Sequence, residues 1–147
     1  MGYEIIGESI KSATSIKLGT IFGNNTIRYK EKVSNPLYPN FFIYQVSTTP
    51  VAKGKNRWEL DYLINIRYRY AEDVTNITNI EQKLDEIGLA LCTQFTEIDL
   101  ELPVKTYNRR YEKADGVCQF FCNIKIIIKA DLPEEVKMQQ LELNEEV

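Results

Sequence analysis

WELDYLINIRYRY, at residues 58–70, alternates apolar and polar side chains almost without a break. Successive side chains of a β-strand project to opposite faces of a sheet, so this stretch predicts a strand with one apolar, aromatic face and one polar face. The apolar face would carry Trp58, Leu60, Tyr62, Ile64, Ile66, Tyr68 and Tyr70, and the polar face Glu59, Asp61, Leu63, Asn65, Arg67 and Arg69. At about 3.3 Å per residue the strand would be ~43 Å long, so it must curve around a core or run past it.

Residues 117–129 predict a second strand of the same length and alternation. Its apolar face would carry Cys118, Phe120, Cys122, Ile124, Ile126 and Ile128, while Gln119, Asn123, Lys125 and Lys129 share the other face with Phe121 and Ile127. The preceding Ala-Asp-Gly at 114–116 is typical of a hairpin turn. Because each long strand offers an apolar face to helices, we expect the two to pair at the centre of the sheet.

Two segments have the three- and four-residue apolar spacing of amphipathic helices. The first covers residues 3–18, with glycines at 19 and 23 as stop signals, and its buried stripe would be Tyr3, Ile6, Ile10, Ala13 and Ile16. The second covers residues 81–94, after polar capping residues at 75–79, and its stripe would be Ile80, Leu84, Ile87 and Leu91.

Shorter strands are predicted at residues 26–33, 41–47 and 95–104, residues 105–113 precede the hairpin turn at 114–116 as its first strand, and the segment at 48–56 reads as a long, mobile, basic loop. The order of elements is then α-β-β-β-α-β-β-β with hairpin-like connections. This order predicts an α+β fold, in which a mostly antiparallel (mixed) sheet of about five to six strands has two main helices packed on one face. We expect one domain over residues 1–130, followed by an acidic C-terminal tail at 131–147.

The composition restricts the function classes. The chain has 147 residues, a net charge of −3 and no histidine, so the commonest general base and metal ligand is missing and no basic excess favours nucleic-acid binding. No signal peptide or membrane-spanning stretch is expected. Three cysteines are present, and two of them, Cys118 and Cys122, would lie ~13 Å apart along one strand, too far for a disulfide.

Three carboxylates, Glu97, Asp99 and Glu101, would share one face of the strand at 95–104, about 6.6–7 Å apart. A glycosidase-like pair or a cation site is one interpretation. Carboxylates along one strand diverge, however, so an electrostatic surface or plain solvent exposure is the simpler interpretation. Neither catalytic residues, metal ligands nor cofactor-binding residues are predicted, since phosphate loops, nucleophile elbows and CxxC pairs are all missing from the sequence.

Cationic side chains are the candidate interface residues. One group, Lys53, Lys55 and Arg57, falls in the predicted basic loop, and Arg67 and Arg69 belong to the polar face of the long strand. Another group, Arg109, Arg110 and Lys113, is interleaved with Tyr107 and Tyr111. Such residues suit contact with an acidic protein partner or with phosphate, or are simply solvated. Nine tyrosines modestly favour an oligomer, since aromatic side chains are enriched at protein contacts.

A helix, a short strand, the segment NPLYPNFFI at 35–43, the strand INIRYRY at 64–70 and a capped helix follow one another over residues 3–130. This arrangement resembles the tail terminator proteins of long-tailed bacteriophages and prophages. The best match is the Pro-x-Phe-Phe-Ile piece at Pro39, Phe41, Phe42 and Ile43, whereas the Gly-Phe and Cys that often flank this proline in the family are replaced by Leu37-Tyr38 and Asn40.

The resemblance implies a non-enzymatic virion protein at the head-proximal end of the tail, assembled in the host cytoplasm. Copies would close into a ring, typically a hexamer, that binds the last ring of tail tube protein, ends tail polymerisation and meets the head-completion or neck protein. DNA would pass through the ring without sequence recognition, and Glu97, Asp99 and Glu101 are candidates to line its pore. Neither a cofactor nor a membrane is implied.

Two alternatives stay open on the sequence. One is another neck or tail-completion protein of the same particle. The other is a small cytosolic ligand-binding or enzymatic α+β domain, with a pocket under the aromatic face of the long strand.

Overall fold

The computed structural model describes residues 3–129, in which the elements follow the predicted order. The two helices are α1 (Tyr3–Phe22) and α2 (Ile80–Gln94). The strands are β1 (Ile27–Tyr29), β2 (Asn40–Ala52), β3 (Arg57–Arg69), β4 (Glu97–Asp99), β5 (Pro103–Ala114) and β6 (Val117–Lys129). The expected acidic tail at 131–147 lies outside the described residues, so the division at residue 130 stays a prediction.

Six strands form one sheet in the order β1-β2-β3-β6-β5-β4. Every pair is antiparallel except β1–β2, which is parallel. The long strands β3 and β6 pair along their whole length, from Arg57↔Lys129 to Arg69↔Val117, and occupy the centre of the sheet. The predicted α+β class, the mixed sheet and the central pairing are all confirmed.

The core lies between the helices and one face of the sheet. On β3 the alternating apolar side chains from Trp58 to Tyr68 are buried, as the 58–70 pattern predicts. On β6 the four side chains Cys118, Phe120, Cys122 and Ile124 are fully buried. Leu84 and Leu91 of α2 and Ile10 and Leu18 of α1 join these residues in a single cluster. The two helices therefore cover the same face.

The stripe predicted for α1 is partly wrong. Ile16 is 70% exposed, while the buried positions are Ile10, Ala13, Thr14 and Leu18; the side chains of Tyr3 and Ile6 lie outside the described ones. The helix also continues past Gly19 to Phe22 and ends where Gly23, at φ 105°, donates its N–H to the Gly19 carbonyl. Only the second glycine stops the helix, because only that glycine adopts the left-handed conformation that closes a helix C-terminus.

The long basic loop predicted at 48–56 is wrong. A bulge between Gln45 and Ser47 carries β2 on to Ala52, which pairs with Trp58, so only residues 53–56 form the turn. Pro50 fits inside this strand because no described strand pairs with β2 on its outer side at that point, and the missing N–H is not needed there. The strand predicted at 26–33 is also shorter than expected, ending at Tyr29.

The single strand predicted at 95–104 is wrong as well, since the chain turns back between β4 and β5. Ile98 is buried, whereas Leu102, which the alternation placed on the same face, is 75% exposed at the tip of the turn. The sequence alternates through this turn, but backbone pairing with β5 and burial of Ile98 already stabilise the shorter strand. Pro103 then occupies the first position of β5, a place in a strand that proline tolerates.

Candidate functional site

The sheet face opposite the helices, called here the open face, carries arginines between aromatic rings. Within residues 3–129 both helices pack on the other face, so the odd-numbered side chains of β3 and β6 project away from the core. Together with side chains of β2 and β5 they form the central part of this surface, which comprises Phe42, Tyr44, Arg67, Arg69, Arg110 and Phe121.

Arg67 is held in place on the open face by its neighbours. Its Nε donates to Asn65 Oδ1 at 2.9 Å, and its guanidinium carbon lies 4.6 Å from the centre of the Tyr44 ring. Asn65 is itself buried and donates to the Phe120 carbonyl at 3.1 Å, so its oxygen cannot rotate away. Tyr44 stacks on Phe42 at 4.5 Å. The arginine is thus oriented while its Nη groups have no carboxylate partner in the described part of the chain.

Arg110 is oriented in the same manner on the neighbouring strand pair. Its guanidinium lies 5.1 Å from the Phe121 ring, and its Nη1 donates to the Asn108 carbonyl at 3.0 Å. The structure brings Arg67, Arg69 and Arg110 together on one face, although the three belong to two distant segments of sequence. A planar guanidinium held over an aromatic ring is suited to binding a carboxylate or a phosphate.

A polar cluster that sequence reasoning missed lies farther along the open face. Asp61 accepts hydrogen bonds from the Tyr107 hydroxyl and, at 3.2 Å, from the Asn123 amide, and Lys125 lies 5.1 Å from the centre of the Tyr107 ring. Loss of hydration and the hydrogen bond to the Asp61 carboxylate raise the pKa of Tyr107 to about 12. The only signal in the sequence was the place of Asp61 on the polar face of the long strand.

The predicted basic loop contributes one paired cation and two free ones. Lys53 lies 3.3 Å from Glu59, whose other oxygen lies 3.4 Å from Lys125. Burial opposes ionisation of Glu59, but these two ammonium groups outweigh it and lower the pKa of the carboxyl. Lys55 and Arg57 are exposed and make no ion pair with any described residue.

Arg109, another of the predicted interface residues, makes hydrogen bonds within its own chain. Its guanidinium donates to the Cys92 carbonyl at 2.9 Å and to the Thr106 carbonyl at 3.0 Å, and so ties the end of α2 to β5. Lys113 has a similar internal role, since its ammonium lies 3.0 Å from both Glu81 and Asp85 of α2. These two cations link a helix to the sheet.

The three carboxylates predicted to share one strand face do not form such a stripe. Glu97 and Asp99 lie on β4, on the open-face side, but Glu101 lies in the turn to β5. The reason is the reversal of the chain after Asp99, which the alternating sequence conceals. None of the three makes an ion pair with a described residue, although Lys105 lies opposite Glu97 in the β4–β5 pair.

A cleft of about 370 Å³ lies where the end of α1 meets β1 and β2. Its walls are mainly apolar, with Phe22, Ile27, Pro39 and Tyr68 among them.

No three His, Cys, Asp or Glu side chains within residues 3–129 are placed to hold a metal ion. Neither described helix is long and apolar enough to cross a membrane.

An α+β subunit that, over residues 3–129, leaves one sheet face uncovered and its sheet edges only partly paired has the form of a structural protein that meets other chains. The family model for phage tail terminator protein matches residues 9–136, and the chain therefore belongs to the phage tail terminator family. The resemblance described above is confirmed. Comparison with curated proteins gave no match.

Membership defines the general role. The protein is a structural component of a bacteriophage tail, and hence of the virion, and the family implies association with the tail tube. Because the family is structural, membership also implies a role without catalysis.

Proposed function

We propose that copies of the chain close into a hexameric ring that caps the tail tube, ends tail polymerisation and presents a surface to the head-completion proteins. Family membership supports the location of this ring, and the edges of the sheet support self-assembly. Among described residues, β1 pairs only with Asn40–Phe42 of β2, and β4 only with Pro103–Lys105 of β5. Unpaired strand edges tend to associate with other chains, and a head-to-tail contact that repeats by rotation closes into a ring.

The open face is the proposed contact surface for a protein partner in the tail. Arg67 and Arg110 are oriented by aromatic rings and have no carboxylate neighbours in the described chain, which suits them to bind acidic side chains of the tube or neck protein. DNA would pass through the ring without being read. The carboxylates Glu97, Asp99 and Glu101 stay candidates for the pore, where negative charge would repel the phosphate backbone.

The ring is tested by the mass of the assembled protein. We expect a species of six times the 17.1 kDa chain mass, either in free solution or on isolated tail tubes. A phage that lacks the protein should make tails of uncontrolled length, and the purified protein should restore a single length. Tails of normal length in the absence of the protein would contradict the proposed function.

The open face is tested by replacing Arg67 and Arg110 with alanine in one variant. We expect the variant to keep the mass of the wild-type assembly and to bind tail tubes or neck protein more weakly, since both guanidinium groups are lost from the contact. Lys17→Ala, on α1, is the matched control for loss of a cation elsewhere. Equal tube and neck binding by the variant and the control would exclude the open face as the contact surface.

A further inference from the structure

At each outer edge of the sheet, a short strand covers only one end of the longer strand beside it. At the β2 edge, β1 covers the beginning of β2 and leaves Ile43–Ala52 without a described neighbour. At the β5 edge, β4 pairs with the beginning of β5 and the Thr106 N–H donates to the Thr96 carbonyl, so the rest of β5, from Tyr107 to Ala114, has no described strand on its outer side. Each edge thus has a projecting strand at one end and a recess at the other.

The two projections lie at opposite ends of the sheet. Residues that pair across neighbouring strands lie at the same height along the sheet. Ala52 pairs with Trp58 and Trp58 with Ile128, while Ile124 pairs with Thr106. The β4–β5 turn therefore lies at the same height as the β2–β3 turn. At the other end, β1 is level with Arg69 and Val117, next to the hairpin that joins β5 and β6. The short strand β4 therefore lies at the same height as the uncovered part of β2, and β1 lies at the same height as the uncovered part of β5.

Rotation about a ring axis that runs along the edge strands would keep the height of each strand and, apart from the twist of the sheet, its direction. Such a rotation brings the β5 edge of one copy beside the β2 edge of the next, with β4 opposite the recess of β2 and β1 opposite the recess of β5. β4 of one copy and β1 of the next would then lie end to end between β5 of the first copy and β2 of the second. Bulges in β2 and β5 oppose direct pairing of these two strands, and leave the short strands as the natural joint.

The charges at this joint are complementary. The projecting corner carries Glu97, Asp99 and Glu101. Glu97 lies opposite Lys105 in the β4–β5 pair, whereas Asp99 and Glu101 have no cation opposite them in that pair and make no ion pair with a described residue. Level with this corner at the opposite edge, the β2–β3 turn and the first residue of β3 carry Lys53, Lys55 and Arg57, called here the basic turn, and the last two make no described ion pair. Arg57 belongs to the same sheet face as Glu97 and Asp99, because both sets alternate with buried core residues.

We propose that the acidic corner at Glu97, Asp99 and Glu101 of one copy docks into the recess beside the basic turn at Lys53, Lys55 and Arg57 of the next copy. The occupant of this recess is a second copy of the chain. The inference rests on the proposed ring and specifies its subunit contact. It assigns the three carboxylates to the joint between copies, in competition with the pore role considered above.

Charge reversal on each side of the joint tests the proposal in the full-length chain. The corner variant is Asp99→Lys with Glu101→Lys, the turn variant is Lys55→Glu with Arg57→Glu, and the fourfold variant combines them and keeps the net charge of −3. The matched control for the corner variant is Glu72→Lys with Glu86→Lys, which makes the same charge change as that variant at exposed positions away from the joint. Mass photometry over a concentration series gives the assembly midpoint, and circular dichroism verifies folding.

Each two-residue joint variant should raise the midpoint concentration by roughly tenfold or more, because each places like charges against each other. The fourfold variant should return close to the wild-type midpoint, and the control should not move it. Folded corner and turn variants that assemble like wild type would overturn the joint, as would a folded fourfold variant that fails to recover. Normal assembly of the corner variant with impaired DNA ejection would overturn it in favour of the pore role.

Failure of the joint is separable from failure of the proposed function. If wild-type protein caps tail tubes and both two-residue joint variants also assemble normally, the terminator ring stands but this contact is excluded. Wild-type protein that neither self-associates nor caps tubes would exclude the ring itself.

Discussion

Tyr107 of β5 donates its hydroxyl hydrogen to Asp61 of β3 across the intervening strand β6. Between them, Asn123 of β6 also donates to Asp61, at 3.2 Å. Three strands from distant parts of the sequence are therefore joined by side chains on the open face, in addition to their backbone ladders. This cluster links β3, β6 and β5 in the half of the sheet that carries the proposed joint.

Removal of the Tyr107 hydroxyl should destabilise the fold modestly. We expect Tyr107→Phe to lower the free energy of unfolding by about 1 kcal/mol, since Asp61 loses a charge-assisted donor in a half-buried site. Urea denaturation followed by the fluorescence of the single tryptophan, Trp58, measures the change. Tyr38→Phe is the control, because no hydrogen bond is described for that hydroxyl. An equal effect of the two substitutions would refute a stabilising role for the cluster.

The Glu59 ion pairs should make stability depend on pH in the acid range. Because Lys53 and Lys125 lower the pKa of Glu59 in the folded protein, the folded state binds the proton of this carboxyl less readily than the unfolded state does. The resulting stabilisation is complete above the unfolded pKa near 4.5 and is lost as the pH falls through the lower, folded value.

The corresponding measurement is the free energy of unfolding of wild type and Glu59→Gln between pH 7 and pH 3. We expect the wild type to lose more stability over this interval, and the difference to shrink in high salt, which screens the partly exposed pairs. Parallel pH profiles of the two proteins would show that the pairs contribute nothing.

The two helix glycines with described surroundings should respond oppositely to alanine. A Cβ at Gly88 would overlap the Tyr111 ring, which packs on α2 at that point, whereas a Cβ at Gly19 would meet mainly the flexible end of Arg28. We expect Gly88→Ala to destabilise the protein by roughly 1–3 kcal/mol despite the better helix propensity of alanine. Gly19→Ala should be neutral or stabilise by up to ~1 kcal/mol.

Thermal unfolding of the two variants tests this contrast directly, because both make the same substitution within a helix. If Gly88→Ala raised the melting temperature, the close contact between α2 and Tyr111 would be wrong.

The two buried cysteines should be unreactive in the native protein. Burial raises the pKa of both Cys118 and Cys122 to about 12, so almost no thiolate is present near neutral pH. A thiol-specific reagent at pH 8 should modify these residues only after unfolding, and peptide mapping distinguishes them from the half-buried Cys92. Rapid modification of Cys122 in folded protein would contradict its place in the core.

The sequence alone determined the two long strands, the helix α2 and the order of the elements. In β3, β6 and α2 the hydrophobic period agrees with the direction in which each side chain must point to reach one core, so local pattern and tertiary burial coincide. The buried residues from Trp58 to Tyr68 are the plainest case. Membership of the tail terminator family was visible at the same level, through the 35–43 motif and the order of elements around it.

Only the tertiary structure decided where an alternating sequence no longer forms a continuous strand. Alternation continues through residues 100–102, but the chain reverses there because burial of Ile98 and pairing with β5 outweigh the pattern. The same applies to the β2 edge, where a bulge extends the strand through Pro50. The opposed heights of the acidic corner and the basic turn, on which the proposed joint depends, follow from strand register. The register of each strand pair is set by the hydrophobic patterns and turn geometry of the two strands together. The relative height of β2 and β5 is the sum of three such registers, so no single segment of sequence encodes it.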